Sequence, residues 1–277
     1  MEALQDYEQE EVEVQLLLEG VFRFYGFDFR QYSPGSLKRR IWYSAREQGV
    51  PTISALQEKV LHDPGSMELL LLAFSINVTA MFRDPDFYLA FRNKVAPWLR
   101  TQPSVRIWHA GCSTGEEAYS MAILLKEEGL YERSRIYATD MSEMALGKAQ
   151  EGILPLAPMR EQTTNYLKSG GKGSFAEYYT ARYDHAILDA GLRRNILFTR
   201  HNLVTDGSFN EFHVIVCRNV MIYFNRSLQA RVHELFHDSL QVSGVLGLGM
   251  KEALMFSPHE ADYEDLDAPA RLYRKVR

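Results

Sequence analysis

The stretch RIWHAGCSTGEEAYSMAILLKEE, residues 106–128, decides the fold of this chain. It opens as an apolar, β-favouring run, breaks at Gly111 and Gly115, and continues with apolar residues at helical spacing. Ser113 and Thr114 can cap the helix, and Glu117 falls in its first turn. Strand, glycine loop and helix in that order make one half of a strand–helix–strand unit. The same rhythm recurs downstream: VRIWHAG, SRIYATD, EFHVIVCRN and GVLGLGM read as strands, and 115–128, 142–150 and 227–241 as helices. This alternation predicts an α/β domain, a doubly wound parallel sheet wrapped by helices, with ligands at the carboxyl ends of its strands. Between 170 and 206 the rhythm breaks into short runs separated by Gly and Asp-Ala-Gly, which predicts a small antiparallel β-insertion at about 172–196. Upstream of residue 96 only helical patterns occur, so the chain divides into a helical domain, 1–95, and an α/β domain, 96–277.

Composition narrows the function classes. At 277 residues and 46% apolar, the chain can bury a substantial core. Its N-terminus, MEALQDYEQEEVEV, is acidic where a secretory signal is basic, and LLLLAFSINV is about half the length a bilayer requires. A cytoplasmic protein without membrane insertion is expected. Cys112 and Cys217 stand far apart among apolar strand residues, as buried structural thiols do in a reducing compartment. A net charge of -5 argues against a nucleic-acid partner. The charge is uneven, however. Arg23, Arg30, Lys38, Arg39, Arg40 and Arg46 outweigh Asp28 and Glu47 between 22 and 49, either as a solvated helix face or as a surface for an acidic partner.

The loop spacing is not G-x-G-x-x-G, and no Lys-Ser/Thr follows, so neither a dinucleotide nor a nucleoside triphosphate is favoured. A carboxylate at Glu117 repels phosphate and welcomes a cation. The next strand ends in Asp140, where α/β nucleotide folds place an acid against a ribose diol. Ribose plus a cationic end suggests S-adenosylmethionine (SAM). Glu117 and Asp140 are also what an ordinary helix start and an ordinary N-cap carry, and spacing alone leaves both readings open. A different chemistry is spelled by HELFH, residues 233–237, which fits the zinc-hydrolase pattern H-E-x-x-H through His233, Glu234 and His237. Leu228, Val232, Leu235 and Phe236 form the apolar stripe of that helix, which leaves the two histidines and Glu234 outside it, as solvated residues. Nothing selects a third ligand, so no metal site is assigned.

NVTAMFRD at 77–84, GCSTGEEAYS at 111–120, YATDMSEMALGKAQEGI at 137–153, HNL at 201–203 and CRNVMIYF at 217–224 together resemble the CheR family of chemotaxis-receptor glutamate methyltransferases. The resemblance implies a Rossmann-like SAM-methyltransferase fold with a helical N-terminal domain and a small β-insertion. Carried over by motif, the SAM contacts are Asn77, Thr79, Arg83, Glu117, Asp140, Asn202, Leu203, Arg218 and Asn219, with Arg83 and Tyr223 beside the reacting centre. The product is S-adenosylhomocysteine (SAH). A glutamate is ionised at neutral pH, so no catalytic base is required. Arg83 is expected to contact one carboxylate oxygen and leave the other free to attack, with Tyr223 orienting the group by a hydrogen bond. The implied partner is the cytoplasmic helical region of a methyl-accepting chemoreceptor, contacted partly through Lys38, Arg39, Arg40 and Arg46 by a monomer. An alternative is a SAM- or SAH-binding adaptor that transfers no methyl group, which the presence of Arg83, Asp140 and Tyr223 disfavours. The chain departs from the family at two places. YYTARYDHAILDAGLRRNILF lacks the glycine-rich loop that binds a receptor C-terminal pentapeptide, so recognition without that tether is expected. Where the family carries a GHSE-like turn, this chain has GMKEA at 249–253, and no role is assigned to Glu252. The terminal RLYRKV resembles the family's final strand.

Overall fold

The computed structural model describes residues 2–74, 79–255 and 257–277. They group into two compact units, Met1–Ile76 with Tyr223–Arg231, and Asn77–Ile222 with Val232–Arg277. The division therefore falls near residue 76, earlier than the boundary expected at 95. Met81, Phe82, Phe87, Tyr88, Phe91 and Val95 belong to the core of the second unit. The helical reading upstream of residue 96 holds for Phe87 to Val95 but not for Met81 and Phe82, which lie in a turn, and it carried no information on which core they enter.

In the first unit, helices α1 (Glu2–Tyr25), α2 (Pro34–Glu47), α3 (Ile53–His62) and α4 (Pro64–Phe74) bury Leu17, Val21, Ile41, Leu56, Val60 and Leu70 completely. Pro34 starts α2 at a position where its missing N–H costs nothing, and the Thr52 hydroxyl caps α3 by accepting the Ala55 N–H at 3.1 Å. Tyr223 and Phe224 pack here as well: the Ser33 N–H donates to the Tyr223 carbonyl at 2.8 Å, and the Tyr32 ring lies 4.9 Å from that of Phe224. The expected basic surface is corrected at Arg40. Its side chain is buried, with the guanidinium 3.9 Å above the Tyr223 ring and a hydrogen bond to the Phe74 carbonyl. Lys38 is ion-paired with Glu10, while Arg39 and Arg46 remain exposed.

The second unit begins with α5 (Pro85–Ala90), a π-helical turn (Phe91–Val95) and α6 (Ala96–Leu99). Its main elements then alternate as β1 (Val105–Ala110), α7 (Glu116–Glu127), β2 (Ser134–Asp140) and α8 (Glu143–Glu151). After β3 (Ile153–Pro155) and α9 (Met159–Lys168) come β4 (Tyr179–Arg182), β5 (His185–Leu188), α10 (Ala190–Arg193) and β6 (Ile196–Arg200). The chain continues through β7 (Phe212–Cys217), α11 (Arg226–Ser239), β8 (Leu240–Leu248), β9 (Tyr263–Asp267) and β10 (Leu272–Lys275). The described residues form a seven-stranded sheet in the order β6-β2-β1-β7-β8-β10-β9. It is parallel from β6 to β8 and antiparallel at β8–β10 and β10–β9, so the expected parallel sheet is a mixed one. The β-insertion is a three-stranded antiparallel sheet, β3-β5-β4, whose hairpin turns on Tyr183 and Asp184 alone. Its third strand, Ile153–Pro155, lies upstream of the expected range. Among the described residues no helix is long and apolar enough to cross a membrane.

Candidate functional site

The chain order around β1 fixes where a ligand can lie. From β1 the sheet grows through β2 to β6 on one side and then restarts with β7 on the other, so a topological switch point lies between β1 and β7. Asp140 ends β2, and Glu117, Asn202 and Arg218 follow the carboxyl ends of β1, β6 and β7. Gly111, at φ 80°, turns the chain out of β1, and the Gly111 and Cys112 N–H groups both donate to the Thr139 carbonyl at 2.8 Å. Its missing side chain is also steric: a Cβ there would stand 2.4 Å from Val220 Cγ2, and one on Gly115 2.9 Å from Ala149 Cβ. The two glycines thus let the loop after β1 approach its neighbours without following a phosphate-loop spacing.

Asp140 is nearly buried, accepting the Ser113 N–H at 2.9 Å through one oxygen and the Ser142 N–H at 3.1 Å through the other. Burial pushes its pKa up, and these N–H donors pull it back. Each carboxylate oxygen keeps acceptor capacity, which suits a vicinal diol. Glu117 lies in the first turn of α7. One oxygen accepts from His109 Nδ1 at 2.8 Å and the other from Arg218 at 3.1 Å. Burial would raise its pKa, but the His109 hydrogen bond and the Arg218 charge win and hold it below the ordinary value. Arg218 is itself buried: it also donates to Asp84 at 2.7 Å and to the Arg83 carbonyl at 3.0 Å, with its guanidinium 4.4 Å above the Phe87 ring. Arg218 Nε, Tyr88 Oη and His109 Nε2 are buried without a hydrogen-bond partner. A charged carboxylate at Glu117 and a second acid at Asp140, beside a loop that excludes Cβ, fit the cationic amino group and the ribose diol of SAM.

Arg83 is presented by backbone strain. Phe82 and Asp84 on either side both adopt φ 54°, a conformation that costs an L-residue about 1–2 kcal/mol. Packing holds it there. The Phe82 N–H donates to Ser120 Oγ at 2.8 Å, and its buried ring meets Tyr88, Tyr166 and Phe175. Asn202 uses its side-chain oxygen locally, accepting the Val204 N–H at 3.0 Å, and Leu203 is buried beneath that turn. Thr79 is partly exposed, and Asn77 lies outside the described residues. Tyr223 belongs to the helical unit, beneath Arg40.

Three residues of this constellation were not singled out by sequence. His109 and Asp84 hold Glu117 and Arg218, and no spacing signal marks either. Glu252 is 4% exposed, and its carboxylate accepts four backbone N–H groups. Asn219 and Gly249 bind one oxygen at 2.9 and 2.7 Å, and Val220 and Met221 the other, both at 2.8 Å. It therefore fixes the turn after Arg218, in which Asn219 adopts φ 62°. The family comparison marked this position, and an acid with no assigned partner was the available clue.

The H-E-x-x-H reading is corrected. His233 is 4% exposed, not solvated, and burial pushes its pKa down to about 4 despite a hydrogen bond to the Ala253 backbone. Glu234 is exposed. His233 does not join His237 in a ligand cluster among the described residues.

Comparison with known proteins agrees with this architecture. Residues 77–269 match the family described as CheR methyltransferase, SAM binding domain, and residues 13–75 the CheR methyltransferase, all-alpha domain. The chain is 52% identical to Cher3 of Pseudomonas putida, named provisionally as a methyltransferase, over 96% of this chain and 97% of that one. It is 30% identical to a chemotaxis protein methyltransferase of Listeria innocua over 88% of this chain and 89% of that one. An uncharacterized 104.1 kDa protein of Rhodobacter capsulatus is 31% identical across 90% of this chain but only 26% of its own length. Both matches, to a helical module and to a SAM-binding module, fall on the two units seen here, and the chain belongs to the CheR methyltransferase family.

Proposed function

We propose that this protein transfers the methyl group of SAM to glutamate side-chain carboxylates of a chemoreceptor-type signalling protein in the cytoplasm. The observation that carries this reading is the state of the acidic groups at the strand ends. Glu117 is held charged between His109 and Arg218, and Asp140 is engaged by backbone N–H groups, so neither is placed as a proton acceptor. A nucleophile that arrives ionised needs none, and a glutamate carboxylate, with an ordinary pKa of about 4.3, is such a nucleophile. SAM, when bound, supplies an electrophilic methyl on a sulfonium whose departure leaves a neutral thioether. Glu117 would hold the cationic amino group of the cofactor, Asp140 its ribose diol, and the turn at Arg218 and Asn219 its carboxylate end. Asn202 and Leu203, with Thr79 and Asn77, would complete the set by family motif. Arg83, presented by the strained turn, would hold one oxygen of the substrate carboxylate, leaving the other to form the new C–O bond as the C–S bond breaks. Tyr223 would orient that carboxylate through its hydroxyl.

Recognition of the receptor would use the exposed charges Arg39 and Arg46, with Lys38 reached once its pairing to Glu10 is exchanged. Arg40 would act differently, by fixing the Tyr223 ring. The hairpin of the β-insertion turns on two residues, which supports recognition without a C-terminal pentapeptide tether. The test is transfer of labelled methyl from SAM to receptor-bearing membranes, followed by mild base and collection of volatile methanol. Base-labile counts are expected, lost when the receptor glutamates become alanine and reduced by about 100-fold in Arg83→Ala, as displacement of a positioned nucleophile would cause. SAH binding without base-labile label would overturn the transferase reading, and micromolar binding of a receptor pentapeptide would overturn the tether-free one.

A further inference from the structure

His237, His259 and Asp262 bring three potential metal-ligand atoms together, all within 4.8 Å of one another. They lie at the opposite end of the sheet from the SAM loops. His237 is in the last turn of α11, just before parallel strand β8 begins at Leu240, and Asp262 immediately precedes β9, which also runs parallel to β8. His259 opens the short turn Glu260–Asp262, on the segment that returns the chain from the carboxyl end of β8 to the start of β9.

The distances are those of a coordination sphere. His259 Nδ1 stands 3.2 Å from Asp262 Oδ2, and His237 Nε2 stands 3.6 Å from the same oxygen. Two donors bonded to one zinc ion at 2.0–2.1 Å in tetrahedral geometry are separated by about 3.3 Å. A second observation is independent of these spacings. Both ring nitrogens of His237 are shielded from solvent without a hydrogen bond, and the nearest carboxylate oxygens, on Asp262 and Asp238, are each 3.6 Å away. A half-buried imidazole is rarely left in that state, and an ion between Nε2 and Asp262 satisfies one of the two nitrogens, leaving Nδ1 to face Asp238. The His237 and His259 rings stack at 3.9 Å with 7° between their planes. Ligation would splay them so that each lone pair points at the ion, a rotation open to His259 at the surface. The neighbouring cation is directed elsewhere: Lys275 Nζ donates to the His237 and Leu240 carbonyls at 2.7 and 2.9 Å. Two imidazoles and one carboxylate on a borderline-soft ion leave one position for water.

We infer that His237, His259 and Asp262 form a binding site for one divalent zinc-class ion, which clamps the segment before β9 to the end of α11. The site is separate from methyl transfer, and its histidine pair is not the one that H-E-x-x-H spelling suggested.

The experiment uses the full chain, free of any histidine tag and stripped with chelator. Titration with Co²⁺, followed by visible absorption, should develop the bands of a four-coordinate site and saturate at one equivalent. Calorimetry with Zn²⁺ should give the same stoichiometry, and zinc should raise the thermal midpoint. His259→Ala, with unchanged circular dichroism, should weaken binding at least 10-fold and abolish the thermal shift, and Asp262→Asn should weaken it as well. His185→Ala removes an exposed histidine paired with Asp184 and should bind as the parent does. Absence of both cobalt bands and zinc heat in the parent chain would overturn the inference. So would binding that survives His259→Ala and Asp262→Asn undiminished, or that is lost in His185→Ala.

Discussion

Gly111→Ala tests whether the loop after β1 is as tightly fitted to its neighbour as the geometry requires. The new Cβ would sit 2.4 Å from Val220 Cγ2 on a residue at φ 80°. To reach ordinary contact the two loops must separate by about 1 Å, or Val220 must leave its rotamer. Overpacking of this kind costs about 1–3 kcal/mol. The left-handed backbone adds about 1–2 kcal/mol for a residue with a Cβ. The expected loss is therefore about 2–5 kcal/mol, read by urea denaturation with tryptophan fluorescence, since Trp108 lies buried in the strand leading into the loop. Because the displaced residues adjoin Arg218, SAH affinity measured by calorimetry should fall by about 10- to 100-fold. Val220→Ala in the same chain should restore the steric share and leave the backbone share, a coupling of about 1–3 kcal/mol in the double-mutant cycle. Stability within about 0.5 kcal/mol of the parent, or no coupling to Val220, would refute the claim that Gly111 sets the spacing of the two loops.

Glu117→Gln should cost about 1.5–3 kcal/mol at neutral pH by removing the charged acceptor of His109 and Arg218. Since the folded state holds this carboxyl below its ordinary 4.5, its contribution is present above that pH and is lost as the pH falls through the folded value. The gap between parent and variant in chemical denaturation should accordingly narrow below pH 4.5, and a constant gap would refute the assignment. Glu252→Gln keeps one carbonyl for two N–H donors and turns an amide toward the other two, which should cost about 2–4 kcal/mol and weaken SAH binding. Hydrogen exchange at Asn219, Val220 and Met221 should quicken in that variant; unchanged rates would show that the carboxylate does not hold the turn. Cys112 and Cys217 are buried, and burial pushes both thiols well up from their ordinary pKa. A thiol-specific disulfide reagent should therefore titrate neither in the native chain and both in denaturant.

The α/β rhythm was readable from periodicity because the buried strands are runs of apolar residues, and those of β1 and β2 are closed by a glycine and an acid, Gly111 and Asp140. What periodicity could not supply was destination. The helical pattern of 85–95 is equally consistent with either core, and only the packing of Tyr88 and Phe91, with Phe82 from the turn before it, assigns it to the core of the sheet. Charge patterning failed at Arg40 for a related reason: a wheel shows which side a residue takes but not whether an aromatic ring waits there, and Tyr223 does. His233 failed likewise, being counted as solvated on a helix whose flank is covered by the Ala253 segment. At the site, Glu117 and Asp140 could be singled out because a cation and a diol each call for an acid near a strand end, although spacing alone left their roles open. Their supports, His109 and Asp84, follow from no local rule, since the contacts that define them are formed only once β1, β7 and the 82–84 turn are brought together.

Val220 links the loop after β1 to the turn after β7. Its side chain is what a Cβ on Gly111 would strike, and its N–H is one of the four that Glu252 holds. The loop after β1 therefore rests on a turn whose shape is set by a buried carboxylate from beyond β8, a strand three places from β2 in the sheet. Glu117 reaches the same turn from the other side through Arg218. Two acids, one on each flank, thus fix the residues between them, Arg218 through a shared charge and Asn219 to Met221 through backbone N–H groups. The consequence is an energetic dependence that composition would not suggest. Cofactor affinity should respond to Glu252, which need never touch the cofactor, as strongly as to residues that do, and the two responses should be non-additive with Gly111→Ala because all three act on one turn.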